Sequence, residues 1–240
     1  QRRERSPSVN RDDEGRSKPR LEQALTEGIR NVLEKQSTKI CFSTGHQEIS
    51  IDDGGPQGLA ELRFRLQKNN YESVLVDFSS PKPSVALTEC QVLAVVGPEV
   101  PVSEKVAKQL TDYLLGGGNV LVMVNPVLDD DNRIRSTGLD PLGRAAGIEL
   151  GNDFIIEKSE QARLPQGLGE TFFALPRAHG ITSGLLKGDQ ARFKVMLSAA
   201  QSLRATTGSA AQPLLTTSAE AFALKDVRPF VEQGKPVEKS

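Results

Sequence analysis

Four short runs of consecutive aliphatic residues constrain this chain more than any other feature. They are Lys39-Ile40-Cys41-Phe42-Ser43, Val74-Leu75-Val76-Asp77-Phe78, Gln91-Val92-Leu93-Ala94-Val95-Val96 and Val120-Leu121-Val122-Met123-Val124. Runs of this kind, without polar residues at every second position, are expected of strands covered on both faces. The segments around them have helical spacing. Leu21, Leu25, Ile29, Val32 and Leu33 predict an amphipathic helix over 21–35. Pro56 is read as opening a second helix, with Leu59, Leu62 and Leu66 on one face and Asn69-Asn70 at its end. Ser103 is a good N-cap for a third, with Val106, Leu110, Tyr113 and Leu114 as its stripe and Gly116-Gly117-Gly118 as its stop. Strands alternating with helices predict right-handed βαβ crossovers and an open, doubly wound, mainly parallel α/β sheet.

The chain divides by composition. Residues 1–20 hold seven bases (Arg2, Arg3, Arg5, Arg11, Arg16, Lys18, Arg20) against four acids (Glu4, Asp12, Asp13, Glu14) and are read as a disordered basic linker. Residues 21–156 form the α/β core, with a short helix over 138–146 and a further strand within 148–156. Residues 157–225 are read as a β-containing extension of that domain or a small second lobe. Strands are predicted at Phe172-Phe173-Ala174-Leu175, Phe193 to Leu197 and Pro213 to Thr217, with polar loops over 157–169 and 201–212. Residues 226–240 are read as a linker.

With 37% apolar residues and no Trp, the core must be built from Leu, Val, Ile and Ala, and a net charge of -1 offers no field to attract nucleic acid. Cys41 and Cys90 lie in apolar surroundings and are expected to be buried free thiols. No run approaches the roughly 18 apolar residues of a membrane span. Both ends are charged and are read as cut ends, with membrane segments expected outside them.

Ligands of open α/β sheets bind outside the carboxyl ends of the strands. Loops 44–55, 79–83, 97–101 and 125–131 meet at that edge in this reading. The first carries Gly45-His46-Gln47-Glu48, where a His beside a carboxylate can pin the loop, bind a ligand or partner, or do acid–base work. His179 is the only other histidine and lies far off in sequence, too few ligands for a metal site. Asp129-Asp130-Asp131 lacks the alternating spacing of a calcium loop and is read as a solvated acidic turn. No Gly-x-Ser-x-Gly elbow occurs. Cys41 falls inside a strand and Cys90 before one, at the edge away from the site, so neither is placed as a nucleophile. No catalytic residue, metal or cofactor is expected.

Several segments taken in order resemble a known family. They are Leu25-Thr26-Glu27-Gly28-Ile29, Thr44-Gly45-His46-Gln47-Glu48, Leu59 to Leu66, Asn70-Tyr71-Glu72, Val96-Gly97-Pro98 before a Ser-capped helix, Tyr113-Leu114, Gly117-Gly118-Asn119-Val120-Leu121-Val122 and Asn125-Pro126. Together they resemble the extracytoplasmic domain of gliding-motility-type ABC transporter auxiliary proteins, which is also similar to a domain of an intraflagellar-transport protein. His179-Gly180-Ile181-Thr182 is similar to the family's later His-Pro-Ile-Thr, with Gly in place of Pro. The match spans about residues 21–220. It implies a flavodoxin-like or class I amidotransferase-like sheet without that enzyme's nucleophile. It also implies flanking membrane helices anchored in the inner membrane, a periplasmic or equivalent location, and ABC permease and ATPase partners.

The expected function is therefore a non-catalytic module that docks a partner or binds a ligand at the strand carboxyl ends, with homo-oligomerisation open. Candidate positions are Gly45, His46, Gln47, Glu48, Gly97, Pro98, Asn125 and Pro126. Docking is preferred, because the absence of Trp and the scarcity of aromatics disfavour a stacking platform. The alternatives are an amidotransferase- or hydrolase-like enzyme using His46 and Glu48, and a purely structural assembly module.

Overall fold

Parallel pairing of four strands sets the layout of the first half. The computed structural model describes residues 38–80, 82–186 and 194–228. The basic arm 1–20, the predicted helix 21–35 and most of the expected linker 226–240 lie outside the described residues. β1 (Thr38–Thr44), β2 (Tyr71–Asp77), β3 (Val92–Val96) and β4 (Asn119–Met123) form a four-stranded parallel sheet in the order β2-β1-β3-β4. α1 (Ala60–Lys68) connects β1 to β2, and α2 (Glu104–Leu115) connects β3 to β4. These two steps run in opposite directions across the sheet, so crossovers of one hand place the helices on opposite faces. The sheet is doubly wound, as the alternation of strand and helix patterns predicts.

Period-two alternation sorts each central strand between two cores. Cys41, Leu93 and Val95 face one side, where they pack with Val76, Val106, Ala107 and Leu110. Phe42, Ala94 and Val96 face the other, with Ile51, Ile49, Leu59 and Leu66 against them. α2 starts where the Ser103 side chain accepts a hydrogen bond from the Val106 N–H. At its far end the Tyr113 hydroxyl donates to the Cys90 carbonyl at 2.9 Å, fixing the helix to the entry of β3. α3 (Asp140–Ala145) packs on α2 and adds Leu142 to the same core.

Three expectations change. Among the described residues, cover on both faces holds for β1 and β3 but not for the edges. On the α1 side Leu75 of β2, and Leu121 and Met123 of β4, are 41–50% exposed. α1 begins at Ala60 rather than Pro56, runs nine residues and packs against β2 without burying any residue fully; one short helix cannot shield four strands. Second, the cysteines are not free thiols: Cys41 and Cys90 form a disulfide. Third, the 125–131 loop is partly ordered as a hairpin, β5 (Val127–Leu128) with β6 (Ile134–Arg135). Asp129 shapes its turn by accepting from the N–H groups of Asp131 and Arg133.

The second half consists of short antiparallel pairs. The single strand read over 148–156 is two, β7 (Ile148–Leu150) and β8 (Phe154–Ile156), broken at Asn152, whose φ is 45°. β7 pairs with β11 (Leu203–Ala205), which lies inside a segment read as loop, and β8 with β13 (Phe222–Leu224). The three strands read at 172–175, 193–197 and 213–217 appear as β9 (Thr171–Pro176), β10 (Val195–Ser198) and β12 (Leu215–Thr216), in the order β10-β9-β12. A short helix, α4 (Ser183–Leu186), follows the His179 segment. There Thr182 is buried and its hydroxyl donates to the carbonyl of Arg177.

Two buried carboxylates flank β8 and tie distant loops to it. Asp153 accepts from the N–H and hydroxyl of Ser202 at 2.8 and 2.7 Å. Glu157 has no exposed surface and accepts from the N–H of Ser159 and from the N–H and hydroxyl of Ser218, at 2.6–2.9 Å. Such burial is costly unless the oxygens are hydrogen-bonded, and here both carboxylates are. Spacing alone gives no sign of these pairings, which join residues 49 and 61 positions apart.

Candidate functional site at the strand carboxyl ends

Each strand of the parallel sheet ends at the same edge, and the loops leaving it are held to one another by backbone bonds. The Thr44 carbonyl accepts from the Phe78 N–H, joining the ends of β1 and β2. The Val96 carbonyl accepts from the Ile49 N–H at 2.9 Å, and the Gly97 N–H donates to the Met123 carbonyl at 2.7 Å, joining β3 to the first loop and to β4. The His46 carbonyl accepts from the N–H groups of both Glu99 and Val100, at 3.1 and 3.0 Å. The 45–48 and 97–100 segments are thus one stapled unit.

Gly45 and Gly97 are required by this closeness. Gly45 has φ of 121°, and a Cβ there would sit 2.8 Å from the Ser79 backbone nitrogen. Gly97 has φ of 57°, with a Cβ position 2.9 Å from Ile49 Cδ1. Both angles are ones that L side chains rarely adopt. Pro98 is buried beside Gly97, and Gln47, also at positive φ, is exposed. Asn125 is exposed and Pro126 half-buried on the way from β4 to β5.

His46 and Glu48 face each other inside the loop. The Glu48 side chain is only 3% exposed, and its Oε2 accepts from the His46 backbone N–H at 2.7 Å. Its Oε1 lies 3.4 Å from His46 Nδ1, and His46 itself is buried. The carboxylate therefore closes a three-residue turn on its own backbone, and the imidazole packs against it. Next to this unit, Ser79 hydrogen-bonds Asp77 at the end of β2, through its side chain and its backbone N–H, and holds that carboxyl below the usual aspartate range. The Arg135 guanidinium donates to the Glu99 carbonyl, fastening the β5–β6 hairpin to the same edge. That contact has no signal in the sequence, because Arg135 lies in a segment that sequence alone does not place.

This geometry gives a specific prediction. The loop is fixed through Glu48 oxygens and the His46 backbone, not through the imidazole. Glu48→Ala leaves a buried N–H without its acceptor and is expected to destabilise by about 1–3 kcal/mol. His46→Ala retains every backbone bond and is expected to cost less. Urea unfolding of both variants checks the order; a larger loss for His46→Ala would show that the ring carries the loop. The edge offers hydrogen-bonded backbone, with Gln47, Glu99, Val100 and Asn125 as its exposed surface.

Comparison with known proteins agrees with this architecture. Among solved structures, the chain is similar to one described as "mmIFT52 N-terminal domain", with a TM-score of 0.56 and 18% identity over 79% of this chain and 77% of that one. At that identity the likeness concerns the fold alone. No curated protein sequence matches the chain. Residues 37–239 match the family described as "ABC-type uncharacterized transport system". That span takes in the sheet, the stapled edge and the antiparallel second half, and the chain belongs to this family of auxiliary components of ABC-type transport systems.

Proposed function

We propose that the chain is a non-catalytic, extracytoplasmic docking module of a membrane-anchored auxiliary subunit, which works with the permease and ATPase components of an ABC transport system and docks a partner that couples to the transporter at the carboxyl edge of its sheet. The observation that carries this reading is the stapling of 45–48 onto 97–100. An acid–base pair must reach a substrate. Here His46 and Glu48 are buried against each other, and Glu48 is engaged by the backbone. What the edge offers outward is a fixed surface of Gln47, Glu99, Val100 and Asn125, which suits a protein partner better than an enclosed small molecule. The Cys41–Cys90 disulfide supports an extracytoplasmic location, because structural disulfides persist in oxidising compartments. Gliding motility as the process served rests on the sequence resemblance.

The test is co-purification of the full-length subunit with its permease and ATPase. Gln47→Arg combined with Val100→Asp changes exposed side chains and leaves the staple intact. Loss of the partners with an unchanged melting temperature is expected. Retention of both partners would overturn docking through this edge. A melting temperature raised by a small molecule, and no longer raised in the double variant, would assign the edge to ligand binding instead.

A further inference from the structure

The chain contains one Asp–Gly pair and no Asn–Gly pair. Asp53-Gly54 lies in the exposed part of the loop between β1 and α1. The main chain of Asp53 is held on both sides. Its N–H donates to the Ser50 carbonyl at 3.3 Å, and its carbonyl accepts from the N–H of Ala60, the first residue of α1, at 3.0 Å. Gly58 presses on the same residue: a Cβ at 58 would sit 2.1 Å from the Asp53 carbonyl oxygen and 2.7 Å from Asp53 Cβ. With its backbone fixed, the Asp53 side chain folds forward, and its Oδ1 accepts from the Gly55 N–H at 2.8 Å. That bond closes a turn in which the carboxyl group lies over the peptide nitrogen of Gly54. Gly54 adds no obstruction, since a Cβ there would meet nothing within 4 Å. The neighbouring Asp52 is engaged instead by the Arg63 guanidinium.

We propose that Asp53–Gly54 is a modification site, at which the native turn converts Asp53 to isoaspartate through a cyclic imide. The Gly54 nitrogen attacks Cγ of the Asp53 carboxylic acid and forms a C–N bond. The C–OH bond breaks, and the hydroxyl leaves with the amide proton as water. Water then adds to either carbonyl carbon of the ring. Opening at Cγ returns aspartate. Opening at the main-chain carbonyl gives isoaspartate, whose chain runs through Cβ and Cγ and whose α-carboxylate becomes a branch. Only water is lost and regained, and the charge is unchanged. The turn favours this step in two ways. It holds the nucleophilic nitrogen and the carboxyl carbon together in advance, and it aims the Gly55 N–H at the oxygen on which negative charge develops. The product lengthens the loop by one main-chain carbon and moves the acceptor of the Ala60 N–H onto a branch, which loosens the start of α1. This inference is independent of the docking edge proposed above.

The experiment incubates the 240-residue chain, its disulfide intact, in buffer made with heavy-oxygen water and digests it in ordinary water. The peptide carrying Asp53 is expected to gain heavy oxygen. It should also become a methyl acceptor for an isoaspartyl methyltransferase supplied with labelled S-adenosylmethionine. Gly54→Ala suits the turn, because the space is open and φ at 54 lies outside the left-handed region. It should keep the wild-type melting temperature and slow both signals several-fold, since the added methyl crowds the attacking nitrogen. Urea unfolding frees the carboxyl from the Gly55 N–H and should slow them as well. Hydrogen exchange at the Ala60 N–H should be faster in the modified fraction than in the unmodified one. Equal uptake in wild type and Gly54→Ala would overturn the proposal. So would uptake in urea as fast as in the native protein, which would take the turn out of the reaction.

Discussion

Replacing Cys41 and Cys90 together by alanine is expected to lower stability by about 4 kcal/mol, through the entropy regained by an unfolded chain no longer closed into a loop of about 50 residues. The bond joins β1 to the residue before β3, and the Tyr113 hydroxyl holds that same point from α2. Two strands adjacent in the sheet but separated in the chain by α1 and β2 are thereby fixed side by side. Cys41 is wholly buried and Cys90 is 7% exposed, so a reductant reaches them only when the fold opens. Urea titration of the double variant measures the first effect. The second is a rate: dithiothreitol should release thiols slowly from native protein and rapidly once it is unfolded. An unchanged urea midpoint, or thiol release from native protein as fast as from unfolded protein, would show that the bond does not lock the sheet.

Removing the Glu157 side chain is expected to have the next largest effect. Its two oxygens take three hydrogen bonds, from the Ser159 N–H and from the N–H and hydroxyl of Ser218. Glu157→Ala removes the acceptor of three hydrogen bonds from the half-buried Ser159 and Ser218, and a bond to a charged group contributes about 1.5–3 kcal/mol, so a loss of about 3 kcal/mol or more is expected. Glu157→Gln keeps one acceptor oxygen but turns an amide N–H₂ toward donors, and it should fall between wild type and Glu157→Ala. The damage should concentrate where the carboxylate acts, on β8 and the loop that leads to β13. Hydrogen exchange at Ser218 should rise far more than exchange at Val95 in β3. Equal increases at both sites would mean that Glu157 supports the whole molecule rather than this corner.

The sequence determines the elements of the first half because its signals there are local. Consecutive Val, Leu and Ala over 92–96, the Ser103 cap and the stripe through Val106 and Leu110 each specify an element without reference to anything distant. The α/β class and the edge where the His46 loop lies follow from those elements alone. Strand order does not. The return from β2 past β1 to β3 brings Cys90 beside Cys41, and nothing at either position in the sequence encodes that adjacency. Two cysteines in apolar runs are equally suited to being free thiols until the register places them together. Among the described residues, the expected cover on both faces is not met at Leu121 and Met123, for a related reason. A strand's composition states what it can bury, not what the described elements supply above it.

Candidate residues 45–48 and 97–98 were legible as a cluster because the carboxyl edge of a parallel sheet is a consequence of topology class. Their internal arrangement was not. Whether Glu48 faces outward or turns back onto the His46 N–H depends on positive φ at Gly45 and Gln47 and on how closely Ser79 approaches. In the second half the strands are two to six residues long, too short to show a period, and the pairings that define them come from partners up to 70 residues away. Local spacing thus determined α1, α2 and α3, the parallel strands and the edge. Tertiary structure alone decided the disulfide, the carboxylate–serine ties and the inward turn of Glu48, because each depends on a distance between residues that the chain itself keeps far apart.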